Sequence, residues 1–347
     1  MMREVTHVIL TVKTKNTRRA AAIALAAGLL FPAGGSIALL AQQPPQNPPQ
    51  NPPPLQGPIR VDVSLVNLFA TVRDRSRRLV PGLPQDTFQI FEDGKEQKID
   101  FFRAETDLPI TLGLLMDTSG SMYSVFGAEQ DAASRFLHRV LKPQKDLAMI
   151  LTFDTDVDLM ADLTGDTDKL ERAIRRARVH VPAGRVTPGT VPGGSGGTNL
   201  YDAVWLACRE KLARESGRKA IILLTDAYDT GSKVDLKEAL EAAQRTDTVV
   251  HVLYIDPGGG FGLRGGGDPG VAKRLAEETG GRMIEIRSDR DFERAFDEIA
   301  QELRSQYTLG YYPTNPNRDG AFRKVKVEAK GKDLRILTRK GYYAPKG

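Results

Sequence analysis

The sequence predicts a doubly wound α/β fold, with a mostly parallel sheet inserted in a small β-sandwich built from the N- and C-terminal strands. Three observations predict it. Between residues 108 and 306, five apolar runs, "ITLGLLMD", "LAMILTFD", "AIILLTD", "VVHVLYID" and "RMIEI", alternate with stretches of helical spacing, the pattern of a parallel sheet covered on both faces. Alternating β-type segments precede this block from Ile59 and follow it to the C-terminus. Residues 59–107 are too few to hold a sandwich alone, so they are expected to pair with 307–347.

The elements follow in chain order. Residues 1–41 carry Arg3, Lys13, Lys15, Arg18 and Arg19 ahead of the apolar run "AAAIALAAGLLFPAGGSIALLA", which reads as a signal peptide or, uncleaved, as a membrane anchor. Residues 42–58, "QQPPQNPPQNPPPLQGP", have almost nothing to bury and read as an extended Pro-rich linker. In 59–107, "VDVSLVNLFATVRD" alternates, "VPGLPQDTF" turns, and "FQIFEDGKEQKIDFF" reads as a hairpin about Asp93-Gly94. Helical patterns run over Ala128–Leu141, Thr167–Val179, Asn199–Ala213, Leu236–Arg245, Val271–Thr279 and Asp291–Ser305. "VDLMADL" follows "LTFDTD" too closely for a crossover helix, which predicts an antiparallel edge strand. "YTLGYYPT", "FRKVKVEAKG" and "LRILTRKGYYAP" complete the second half of the sandwich.

Charge narrows the function classes. The 347 residues carry a formal charge of +5, but setting aside 1–41, with five basic residues against Glu4, leaves about +1. No nucleic-acid partner is therefore expected. The single cysteine, Cys208, lies on the apolar side of a helical pattern and reads as a core thiol.

In doubly wound sheets ligands sit outside the carboxyl ends of the strands. There the sequence places Asp117, Ser119 and Ser121 in "MDTSGSMYS", Thr198 just before a helix, and Asp226 at the end of "AIILLTD". These are two carboxylates and three hydroxyls without His or Cys. Hard oxygen donors of this kind suit Mg²⁺, Mn²⁺ or Ca²⁺. The bland alternative is a solvated turn in which Asp117 caps the next helix.

With these residues the chain resembles the von Willebrand factor type A (VWA) family, whose metal-ion-dependent adhesion site (MIDAS) carries an Asp-x-Ser-x-Ser motif, a Thr in a second loop and an Asp in a third. The resemblance implies the same roles for Asp117, Ser119, Ser121, Thr198 and Asp226, and it covers the VWA segment 108–306. The flanking strands resemble a bacterial exported group with such a domain between them. One departure is Ala227, where relatives often have Gly. The expected activity is capture of a protein ligand presenting Asp or Glu, whose carboxylate replaces water on a bound divalent cation. The expected location is periplasmic or cell-surface, with the membrane touched only through an uncleaved N-terminal segment. In this family a shift of the last helix can couple the metal loops to neighbouring domains; the alternative here is a rigid joint.

Competing readings are enzymatic or structural. "GFGLRG", Gly260–Gly265, with Glu285 downstream, fits a dinucleotide fingerprint but lies in a long glycine-heavy loop. "GGSGG" around Ser195 lacks the preceding strand of a nucleophile elbow, and its only downstream His, His251, sits in an apolar strand. A Mg²⁺-dependent phosphoryl hydrolase would use Asp117 and Asp226, but Ser119 stands where a second Asp is usual in such enzymes. An envelope module with a purely stabilising metal is the remaining alternative.

Overall fold

The computed structural model describes residues 65–104, 108–180, 197–255, 267–331 and 333–347. The expected export segment 1–41 and linker 42–58, Ser195 and Gly260–Gly265 lie outside the described residues. All described residues belong to one unit, Arg60–Gly347. Among them no helix is long and apolar enough to cross a membrane.

β1 (Val66–Arg73), "VNLFATVR", alternates in burial over its first half and is buried throughout its second. β2 (Phe88–Glu92) and β3 (Lys95–Gln97) form the expected hairpin. Asp93 and Gly94, at φ 47° and 82°, supply the two left-handed positions that a tight hairpin turn needs. The second run of this hairpin differs from the expectation. Asp100 N–H donates to Gly310 O, and the chain leaves the sheet so that β4 (Phe101–Arg103) pairs elsewhere.

The central block runs β5 (Ile110–Asp117), α1 (Phe126–Val140), β6 (Leu147–Phe153), β7 (Val157–Thr164), α2 (Thr167–Arg176), α3 (Leu200–Leu206), β8 (Arg218–Thr225), α4 (Leu236–Arg245), β9 (Thr248–Ile255), α5 (Pro269–Thr279), β10 (Met283–Ile286) and α6 (Asp289–Arg304). Sheet order is β10-β9-β8-β5-β6-β7. All pairs are parallel except β7 on β6, the expected antiparallel edge. α3 is shorter than its periodicity suggests, continuing as a π turn over Ala207–Lys211 and a 3₁₀ turn over Leu212–Arg214. That widened turn keeps Cys208 and Leu212 both buried.

Because β5, β6, β8 and β9 are buried from both faces, their side chains feed two cores. α1, α2 and α6 cover Leu112, Leu114 and Met116 on one face, and α3, α4 and α5 cover Leu115, Ile221 and Leu223 on the other. Chain order reverses between β5 and β8, which makes their adjacent carboxyl ends the switch point where such folds form a crevice.

β11 (Tyr307–Tyr311), β12 (Phe322–Ala329), β13 (Arg335–Leu337) and β14 (Gly341–Tyr343) close the sandwich. Its antiparallel sheets, β13-β1-β11-β4 and β14-β12-β2-β3, each combine strands from both ends of the chain. Leu68, Ile90, Leu309, Tyr311 and Val327 fill the space between them.

The amino ends of the central strands meet this sandwich through buried charge. The Glu302 carboxylate, on α6, accepts from Arg73 Nη2 of β1 at 2.9 Å and from Arg282 Nε at 2.8 Å. Asp146 pairs with Arg304 and accepts from the Ile110 amide. Arg218 donates to the carbonyls of Leu303 and Gln306 at the end of α6. His251, in the middle of β9, is fully buried, and neither ring nitrogen has a hydrogen-bond partner among the described residues. Burial lowers its pKa to about 4, the packed core role expected of it. Burial also pushes the Glu302 carboxyl up, but His251, Arg282 and Arg73 together outweigh this and hold it below its usual range.

Candidate metal centre

β5 brings Asp117 to the switch point as its last residue, 0% exposed. One register step before, Met116 lies opposite Leu224, so the loops after β5 and β8 leave the sheet side by side. Asp117 Oδ1 accepts from Ser119 N–H at 2.9 Å, and Oδ2 accepts from the Thr225 hydroxyl at 2.6 Å. Asp117 therefore braces its own loop and caps no helix; α1 begins after Val125 with no side-chain cap. The Ser119 and Ser121 hydroxyls lie 3.0 Å apart.

Asp226, 4% exposed, accepts from Tyr228 N–H at 3.1 Å and from the Ser121 hydroxyl. The next residue, Ala227, is fully buried at φ 60°. A Cβ is strained in this left-handed conformation, the physical reason a glycine suits the position. Thr198, 7% exposed, is tied to the same loop: its N–H donates to the Thr230 hydroxyl at 2.8 Å, and its carbonyl accepts from Thr230 N–H at 3.0 Å. The Asn199 amide donates to Asp154 O at the end of β6 at 2.7 Å. Hydrogen bonds thus link all five sequence-predicted residues into three neighbouring loops.

Electrostatics sets these residues apart from ordinary turn residues. Burial, and then the Asp226 charge, raise the Asp117 carboxyl well above the usual range. Burial also raises Asp226, against the opposing Tyr228 and Ser121 hydrogen bonds. Among the described residues no Lys or Arg forms an ion pair with either. Two buried carboxylates, each accepting from its own hydroxyl donor and without a counter-ion among the described residues, fit a hard divalent cation. Among the described residues no group of three or more His, Cys, Asp or Glu could form a metal cage, so the hydroxyls would have to complete the donor set.

Three participants escaped the sequence reading. Thr225 holds Asp117, its signal being only its place beside Asp226. The Thr118 hydroxyl donates to Asp154 Oδ2 at 3.3 Å, linking the β5 and β6 loops. Glu129, on α1, is buried, and among the described residues neither carboxylate oxygen has a hydrogen-bond partner.

A doubly wound domain with an all-oxygen cluster at its switch point defines the class. Residues 112–229 match the family model of the von Willebrand factor type A domain, and the chain carries a domain of that family. No curated protein matches the chain. Among solved structures, it is similar to proximal thread matrix protein 1 from the mussel byssus, at 13% identity and a TM-score of 0.47, covering 61% of this chain and 49% of that one. The chain thus spans about half the length of the mussel protein. It is also similar to BatB from Bacteroides thetaiotaomicron, at 18% identity and a TM-score of 0.42, covering 57% and 100% of the two chains. A von Willebrand factor type A protein from Catenulispora acidiphila gives 13% identity and a TM-score of 0.47, covering 82% and 74%.

Proposed function

We propose that the chain is an exported, non-enzymatic binding module that captures an acidic residue of a protein partner through a divalent cation, Mg²⁺ or alternatively Mn²⁺ or Ca²⁺, held by Asp117, Ser119, Ser121, Thr198 and Asp226. One observation carries this reading: two buried carboxylates and their hydroxyls converge at the switch point with no cationic side chain paired to them among the described residues. When bound, the cation supplies a Lewis-acidic position that a partner carboxylate can fill.

The chain's own residues prepare that position. Ser119 and Ser121 offer neutral oxygens, Asp226 offers charge close to Ser121, and Asp117, whose oxygens are already engaged by Ser119 and Thr225, contributes charge and loop rigidity. Thr198, fixed to the Asp226 loop through Thr230, stands ready as the donor that favours the ligand-bound arrangement. Tyr123 and Tyr228, 60% and 51% exposed on the flanking loops, give a partner the aromatic contacts typical of binding surfaces. The proposed organisation is an export segment 1–41, a linker 42–58, the VWA domain 108–306 and a sandwich from 59–107 and 307–347. The cell surface or periplasm follows from the export segment, and partner capture from the open cation.

Phosphoryl hydrolysis is less well served. Asp117 is fully buried with each oxygen accepting a hydrogen bond, a poor arrangement for attack on phosphorus.

Water-proton relaxation of Mn²⁺ bound to the full chain tests the reading. Bound Mn²⁺ should enhance relaxation through its exchangeable water, and acetate, standing in for a partner's carboxylate, should reduce the enhancement. Enhancement that ignores acetate would reject carboxylate capture and favour a stabilising metal.

A further inference from the structure

The carboxyl ends of the strands hold one more acid than the five-residue motif accounts for. Glu129 lies in the first turn of α1, the helix that follows the Asp117–Ser121 loop, and is 0% exposed. Among the described residues neither of its carboxylate oxygens meets a hydrogen-bond donor. An acid so placed is destabilising unless charge of the opposite sign compensates it. Among the described residues no Lys or Arg forms an ion pair with it, in contrast to the equally buried Asp146 and Glu302, which have arginine partners.

Two features of the surroundings bear on this acid, and neither compensates it. The N-terminal turn of a helix favours negative charge, yet only weakly. The charge that bears on Glu129 is that of Asp117: burial first, and then the Asp117 carboxylate, hold the Glu129 carboxyl well above its usual value. Three acids, Asp117, Asp226 and Glu129, thus share one buried region that lacks a cationic partner among the described residues. A divalent ion in the loops would relieve all three. Among the described residues Glu129 forms no ligand cluster with other acids, so it would act through its field.

We propose that Glu129 is a positioning residue of the cation site: a third, non-ligating carboxylate that strengthens the hold on a divalent cation and weakens the cation's pull on an acidic ligand. This inference rests on the reading of the loops as a cation site. Added negative charge near the ion raises its affinity for the protein, while making the ion a poorer acceptor of a partner's carboxylate. Glu129 would then set the balance between keeping the metal and gripping the partner.

The test compares full-length wild type, Glu129→Gln, Glu129→Met and Asp117→Ala. Mn²⁺ affinity is measured by electron paramagnetic resonance of the free ion, and metal-free stability by thermal melting. Glu129→Gln, isosteric and uncharged, should weaken Mn²⁺ binding at least tenfold, and at saturating Mn²⁺ should bind acetate more tightly than wild type. Glu129→Met should melt higher than wild type without metal, because the orphaned polar group is gone, and should gain less from Mn²⁺. Unchanged Mn²⁺ affinity in both Glu129 variants, with Asp117→Ala binding none, would overturn the role of Glu129 and leave the cation site standing. Absence of Mn²⁺ binding by wild type would overturn both.

Discussion

At the amino ends of the central strands Asp146 meets Arg304 and Glu302 meets Arg73 and Arg282; at the carboxyl ends Asp117 and Asp226 meet hydroxyls and backbone amides, and Glu129 meets no donor. Both ends of one sheet bury acids, but among the described residues only the amino end neutralises them with the chain's own cations. The difference separates two jobs. Where arginine supplies the counter-charge, the result is a permanent joint between α6, β5 and the sandwich. Where it does not, the proposed function assigns the counter-charge to a cation from solution.

Breaking the joint should give the largest effect. Glu302→Ala leaves Arg73 buried without its carboxylate and Arg282 with Glu298 alone, and should cost about 3–5 kcal/mol in urea unfolding; a cost below about 1 kcal/mol would mean that the joint is ornamental to stability. The next largest effect sharpens the electrostatic contrast. His251 takes up a proton at about 6.5 when unfolded but only at about 4 when folded. The unfolded chain therefore binds more protons between these values, so stability is full above pH 6.5 and falls as pH drops to about 4. The loss attributable to His251 should approach about 3 kcal/mol. His251→Leu should flatten that part of the pH profile, and a profile unchanged by the substitution would remove the histidine from the joint's acid sensitivity. The smallest effect separates buried from exposed pairs. Arg135 meets Glu293 at 2.5 Å with both side chains substantially exposed, and Arg135→Ala should change stability by no more than about 1 kcal/mol.

Most of the fold was legible because strong local patterns and tertiary needs agree. The fully buried runs became β5, β6, β8 and β9, the short spacing before "VDLMADL" gave the antiparallel edge, and Asp93-Gly94 made its hairpin. The crossing of β4 to the other sheet was not legible, since its cause is a long-range bond from Asp100 to Gly310. At the site, spacing within "DTSGS" revealed the first loop, but Thr225 looked like any strand residue until the structure placed its hydroxyl on Asp117. Glu129 did leave a trace. It shares the buried stripe Phe126, Glu129, Ala133, Phe136 and Val140 of α1, and a charged residue on an apolar helical stripe is a signal in its own right.

Thermal melting of the full chain with and without millimolar Mg²⁺ or Mn²⁺, on wild type and on Asp117→Ala, tests most directly whether the carboxyl end awaits a cation. With metal at about a hundred times its Kd, binding should stabilise the wild type by about 2.7 kcal/mol, roughly 5 °C or more in Tm, and Asp117→Ala should show no such rise. A wild type that melts at the same temperature with and without metal would contradict the account.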